Sequence, residues 1–166
     1  MSEPESTLEV ELTVNGDLYE REVPARTLLV HFLRDELGLT GTRVGCETSS
    51  CGCCTVLLDG KRVKSCTVLV SQADGREVTT IEGLADGRDL DPVQESFSKN
   101  HALQCGYCTA GMVMSAESLL EENPDPTREE IKHGIAGNLC RCTGYTFVID
   151  AIEEAAESYP STEASD

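Results

Sequence analysis

The chain has no tryptophan, and aromatic residues fill only 4% of its 166 positions. Without large rings any core is modest, and a second source of cohesion is needed. Basic residues are scarce too: 13 Lys and Arg stand against 30 Asp and Glu, for a formal net charge of −17. That leaves no basic patch to neutralise phosphates, which excludes a nucleic-acid surface and electrostatic attachment to anionic lipid. No apolar run approaches the roughly 20 residues that span a bilayer. The opening MSEPESTLEVE is acidic and polar, with neither the basic start nor the apolar stretch of a secretory signal. The three histidines, His31, His101 and His133, are unpaired and are expected as exposed helix residues rather than metal ligands. The acid is spread along the chain, as in an ordinary solvated surface or in a protein of a high-salt cytoplasm. A cytoplasmic location is expected, where thiols stay reduced.

What the chain has in excess is cysteine. There are nine, and four of them, Cys46, Cys51, Cys53 and Cys54, fall within GCETSSCGCC. Around them the periodicity changes once. Leu8, Val10, Leu12 and Val14 alternate with polar residues and predict a strand; NGD is a hairpin turn and LYEREV the returning strand. Thr27 is expected to cap a helix over LLVHFLRDEL, which Gly38 stops. TVLL and RVKSCTVLV flank the turn DGK, and REVTTI adds a fifth strand. From about residue 83 the pattern is helical: Asp91 with Pro92 opens one helix, Thr109 a second, and Thr127 with Glu130 a third. The last helix runs from Tyr145 to Ser158. The expected organisation is α+β: a tail over 1–7, a β-rich domain over 8–82, a linker over 83–90, a four-helix domain over 91–158 and a tail over 159–166.

The cysteines divide along the same boundary. Cys46-x4-Cys51-x2-Cys54, with Cys66 further on, has the spacing of plant-type [2Fe–2S] ferredoxins. Gly45 and Gly52 are expected to bend the loop so that backbone N–H groups point at the sulfurs, and a following strand to deliver Cys66. Cys53 is then the spare thiol. Cys105-x2-Cys108 and Cys140-x-Cys142 lie before helices, where free N–H groups and partial positive charge favour thiolates. A Cys-x-Cys pair is close-set for tetrahedral zinc. The odd count and the reducing compartment disfavour disulfides. Two structural zinc sites are the alternative to two iron–sulfur clusters.

The segments LTGTRVGCETSSCGCCTVLLDGKRVKSC, LQCGYCTAGMVMSA and GNLCRCTGYTFVIDAI together resemble the small [2Fe–2S] subunit of the molybdenum hydroxylases. That family includes xanthine dehydrogenase, aldehyde oxidoreductases and carbon monoxide dehydrogenase, and the resemblance runs from about residue 8 to 158. It implies a β-grasp, plant-ferredoxin-like domain followed by a four-helix domain. Cys46, Cys51, Cys54 and Cys66 would hold one [2Fe–2S] cluster, and Cys105, Cys108, Cys140 and Cys142 the other. The second cluster would lie beside the molybdopterin of a large subunit, with Gln104 and Cys142 touching the pterin; the first would face the FAD of a medium subunit. Single electrons would pass from molybdenum to flavin through this chain, which carries no substrate-binding catalytic residues. The chain departs from the family at Cys53 and Ala110, where a small residue and Pro are usual, and at Val148, a common Ile. Two rival functions remain at this level: a stand-alone two-cluster electron carrier, and a zinc-stabilised interaction module.

Overall fold

The computed structural model describes residues 6–159. Residues 1–5 and 160–166 of the expected tails lie outside them, and Thr7 already belongs to a strand. Strands β1 (Thr7–Val14) and β2 (Asp17–Pro24) pair antiparallel through a tight turn. Asn15 and Gly16 both have positive φ there (53° and 86°), the conformation that matches strand twist in a two-residue hairpin. β3 (Thr55–Leu58) and β4 (Lys61–Lys64) form a second such hairpin through Asp59 and Gly60. β5 (Glu77–Thr79) lies between the hairpins, parallel to β1 and antiparallel to β3, giving the mixed order β2-β1-β5-β3-β4.

The expected first helix is shorter and wider than its sequence suggests. α1 is one turn, Leu29–His31, continued by a π-helical turn over Phe32–Glu36. Thr27 does not cap it. Its carbonyl accepts from Val70 N–H (2.9 Å), and Leu29 N–H donates to Val68 (2.8 Å), so Leu28 is held extended and the helix begins after it. Leu37 N–H reaches back to Phe32 O, which widens the turn, and Phe32 and Leu33 are both fully buried against Val10, Leu12, Val14, Val56, Leu58 and Val78.

Four helices follow: α2 (Pro92–Lys99), α3 (Thr109–Glu122), α4 (Arg128–Ile135) and α5 (Thr146–Ser158). Asp91 caps α2, accepting from Val93 N–H (2.8 Å), and Thr127 with Glu130 closes a capping box on α4. Each cap is worth about 1 kcal/mol. α3 is buried continuously from Gly111 to Leu120, as a helix covered on all sides must be. Its cover is α2 and α4 on one side and β3 with β4 on the other. Strand β3 explains its own unbroken apolar run TVLL in the same way. Val56 and Leu58 point into the sheet core, Thr55 and Leu57 alternate to the opposite side, and all four are buried.

One charged side chain is enclosed in the helical half. Glu117 is 4% exposed, accepts from Tyr159 Oη (3.0 Å) and faces Asp91. Burial first, then the neighbouring Asp91, pushes its carboxyl up to about 9, so it is neutral at ordinary pH. Among the described residues no helix is long and apolar enough to cross a membrane.

Candidate functional site

The loop 45–54 is bent at Gly52, as expected, and at two residues the sequence did not single out. Glu47 and Ser49 take positive φ (55° and 61°) along with Gly52 (76°). Gly45 does not; its role is space, since a Cβ there would lie 2.8 Å from Cys51 Sγ. The loop does aim N–H groups at sulfur: Thr48 N–H and Cys51 N–H lie 3.4 and 3.3 Å from Cys46 Sγ. Cys66 arrives on a 3₁₀ turn, Ser65–Thr67, rather than on the strand expected to carry it. Ser65 is the cause. Its hydroxyl and its N–H both donate to Cys54 O (2.7 and 3.2 Å), which ends the ladder at Lys64 and turns Cys66 towards Cys54. Cys54 and Cys66 are buried against Val30, whereas Cys46 and Cys51 are half-buried.

The second group stands on two turns. Cys108 itself is the N-cap of α3, and its carbonyl accepts from Met112 N–H (3.0 Å). The expected cap, Thr109, is therefore the first helical residue, and its hydroxyl has no hydrogen-bond partner among the described residues. Cys140 is fixed at both ends: Tyr145 Oη accepts from its N–H (2.8 Å), and Thr143 Oγ1 lies 3.2 Å from its Sγ. Cys105, Cys142 and Gln104 are exposed. Leu103 and Tyr107 flank Cys105 in sequence, Leu139 and Phe147 flank Cys142, and all four are exposed.

The two groups are side by side. Tyr107 Oη, between Cys105 and Cys108, donates to Val44 O (2.6 Å) beside the first loop. Leu139 N–H donates to Cys51 O (2.8 Å), so one hydrogen bond joins a cysteine of the first group to the residue preceding Cys140. Cys53 is buried at this junction, close to Cys51 and within electrostatic reach of Cys108.

Comparison with known proteins gives this geometry a context. A 2Fe-2S iron-sulfur cluster binding domain matches residues 12–85, and a [2Fe-2S] binding domain matches residues 80–153. The nicotine 6-hydroxylase small subunit of Paenarthrobacter nicotinovorans is 49% identical over 92% of this chain and 92% of its own length. Caffeine dehydrogenase subunit gamma of Pseudomonas sp. strain CBB1 is 46% identical over 93% and 92%. Among solved structures, quinoline 2-oxidoreductase from Pseudomonas putida 86 superposes with a TM-score of 0.89 at 47% identity, covering 92% of this chain and 95% of that one. The chain belongs to the iron–sulfur small subunits of the molybdenum hydroxylases.

The donor sets of this small subunit fit two [2Fe–2S] clusters. The thiols make close contacts: Cys46 with Cys51, which also meets Cys53, Cys54 with Cys66, Cys105 with Cys142, and Cys108 with Cys140. Two thiolates per iron is what a two-iron core demands. Charge points the same way. Hydrogen bonds from Thr48 bring Cys46 down to about 6. The N–H of Tyr107 lowers Cys105, and burial of Cys140 is outweighed by hydrogen bonds from Thr143. Other thiols go the other way: burial and the adjoining Cys66 push Cys54 up to about 11, burial and the adjoining Cys140 push Cys108 up to about 12, and the hydrogen bond with Cys105 raises Cys142. Four crowded thiols cannot all ionise against one another, and a cationic core among them removes that obstacle.

Three residues at the junction were not singled out from the sequence. Asn138, Lys64 and Tyr107 carry no metal-ligand chemistry, and their only sequence signal is nearness to cysteine. Burial lowers the half-buried Lys64 ammonium, which the nearby thiols oppose.

Proposed function

We propose that this chain is the electron-relay subunit of a molybdenum hydroxylase, with a β-grasp ferredoxin-like half over 8–82 and a four-helix half over 91–158. Cys46, Cys51, Cys54 and Cys66 hold one [2Fe–2S] cluster; Cys105, Cys108, Cys140 and Cys142 hold the other. Each cluster, when bound, takes up and releases one electron at a time. The chain's own groups do the rest. Thr48 and Cys51 N–H groups support negative charge on Cys46 Sγ, Thr143 does so for Cys140, and Val30, Val44 and Leu28 keep water from Cys54 and Cys66. The face bearing Gln104 and Cys142 meets the molybdopterin of a large subunit, and the Glu47–Ser50 rim of the first site faces the FAD of a medium subunit. No group on this chain binds substrate.

What supports the reading is the close approach of the two cysteine groups, joined by the Leu139-to-Cys51 hydrogen bond, together with the exposed apolar side chains near the second group in sequence. Those exposed large apolar side chains favour a subunit over a freely diffusing carrier, because a docking face is where such side chains become covered. The relatives are named for nicotine and caffeine, and the solved structure for quinoline, at nearly equal identity. A relay chain is compatible with that range, since substrate choice belongs to the molybdopterin subunit.

The test is co-purification with the large subunit followed by stopped-flow reduction of the clusters by substrate. Gln104→Ala is expected to keep both clusters and to slow cluster reduction or loosen the pterin, because a buried polar partner is left unpaired. Wild-type rates with full pterin retention would remove Gln104 from the path. A chain that never co-purifies with a molybdenum subunit at any salt concentration would be a shuttle.

A further inference from the structure

Asn138 lies two residues before Cys140 and is 2% exposed. Its Nδ2 donates to Gly111 O (2.9 Å), Gly52 O (3.0 Å) and Thr55 Oγ1 (3.3 Å). Its Oδ1 accepts from Ser115 Oγ (2.8 Å) and Lys64 Nζ (3.3 Å). The orientation is not interchangeable, since a flipped amide would set its oxygen against two carbonyls. One planar group thus touches the first cysteine loop at Gly52, the start of α3 at Gly111, strand β3 at Thr55 and β4 at Lys64. Lys64 reinforces the same point, donating also to Gly137 O (2.9 Å) and Thr55 Oγ1 (3.0 Å).

We propose that Asn138 is a positioning residue for electron passage within the chain: its carboxamide sets the register between the Gly52 turn and the Cys140 loop, and so holds the Leu139-to-Cys51 hydrogen bond that joins the two thiol sites. The inference rests on the two-cluster reading above. Cohesion of the two halves does not need this amide. The apolar contact of α3 with β3 supplies it, and a buried apolar side chain of similar size would seal the junction as well. What five directional contacts add is one register. Gly52 and Gly111 make that register close, because a Cβ on Gly52 would collide with Gly137 O and one on Gly111 with Gly52 O. Leu139 follows Asn138 directly, so any slip of the carboxamide moves the Leu139 N–H away from Cys51.

The experiment uses the purified full chain with its iron and inorganic sulfide measured first. If the wild type lacks about four of each, the two-cluster reading itself fails and the proposal with it. With both clusters present, Asn138→Ala and Asn138→Asp are compared with wild type in two ways. One is the spin–spin interaction between the two reduced clusters in electron paramagnetic resonance. The other is the rate of electron equilibration between them after pulsed reduction. The expected result is unchanged iron, a weakened interaction, and an equilibration rate lower by about tenfold, the usual scale for losing an outer support of a metal site. Unchanged interaction and rate in variants that keep both clusters would overturn the proposal. Should both Asn138 variants lose a cluster, Lys64→Met decides. It is made together with Ser115→Ala, so that both donors to Asn138 Oδ1 are removed while every cysteine is kept, and a spin–spin interaction reports separation rather than charge. A weakened interaction then supports the positioning role, and wild-type coupling rejects it.

Discussion

The two thiol sites differ in what surrounds them. The first buries Cys54 and Cys66 under Val30 and shows solvent a rim of Glu47, Thr48, Ser49 and Ser50. The second leaves Cys105 and Cys142 exposed, and near them in sequence the apolar Leu103, Tyr107, Leu139 and Phe147 are exposed as well. A polar rim is stable in water as it stands. An apolar rim around an open site is complete only when another surface covers it. Under the relay reading, the second site would take a lasting, dry contact and the first a wetter one.

The largest effect comes from removing ligands, and it asks whether the sites are as separate as they look. Cys54→Ala is expected to reduce iron from about four to about two per chain while leaving the second site's paramagnetic signal. Cys53→Ala is expected to keep all of it. Loss of iron from the Cys53 variant instead would mean that the loop binds through Cys51-x-Cys53. Next in size is the apolar rim. Leu139→Asp with Phe147→Asp should weaken association with the large subunit by about 2 kcal/mol or more, as losing a central interface anchor does. Glu47→Gln at the polar rim should leave that association unchanged. Wild-type association should persist or tighten in high salt, which screens repulsion between acidic partners. Pull-down across a salt series would show it, and dissociation in high salt would undo the contrast.

A smaller effect is expected at the junction. Gly111→Val sets two methyl groups against Gly52 and Cys53 and should cost about 1–3 kcal/mol in denaturant unfolding. A neutral outcome would show that α3 can slide on the loop. The smallest is a pH effect confined to the helical half. Glu117 has its carboxyl raised from the ordinary 4.5 to about 9, so the folded chain holds a proton that the unfolded chain releases. Its contribution is complete below about pH 4.5 and is lost as pH rises towards 9. Tm should fall by about 3 °C or more between pH 6 and pH 9, given that 1 kcal/mol moves Tm by roughly 2–4 °C at this size. Glu117→Gln should remove that part of the slope, and an unchanged slope would mean that other groups carry it.

Much of this was legible in the residues, for reasons that differ by element. Alternation in LEVELTV and the turn pairs Asn15-Gly16 and Asp59-Gly60 are local signals, and nothing distant overrides them. The caps at Asp91 and Thr127 are local as well. Thr27 and Thr109 carry the same signal and do not cap, because their backbones are committed elsewhere: Thr27 to Val70, and Thr109 behind Cys108. The two groups of cysteines were legible through spacing, which reflects the compactness of what they would wrap. The contact between them was not. It rests on Asn138, Lys64 and Tyr107, residues whose partners across the junction lie 63 to 86 positions away and whose chemistry is ordinary. Glu117 was hidden for a related reason, since only the packing of Tyr159 and Asp91 around it shows that an acidic residue is inside.

Strand β3 belongs to both halves at once, with Val56 and Leu58 in the sheet core and the strand itself packed against α3. The chain can be divided on paper at the Gly83–Leu90 segment, but β3 cannot be divided with it. A fragment ending there would carry an uncovered row of side chains, and a fragment beginning there would carry the bare face of α3. The two halves are therefore not interchangeable modules. A graft of one onto an unrelated partner would have to reproduce the other's surface, and natural or engineered shuffling should move the pair as one piece.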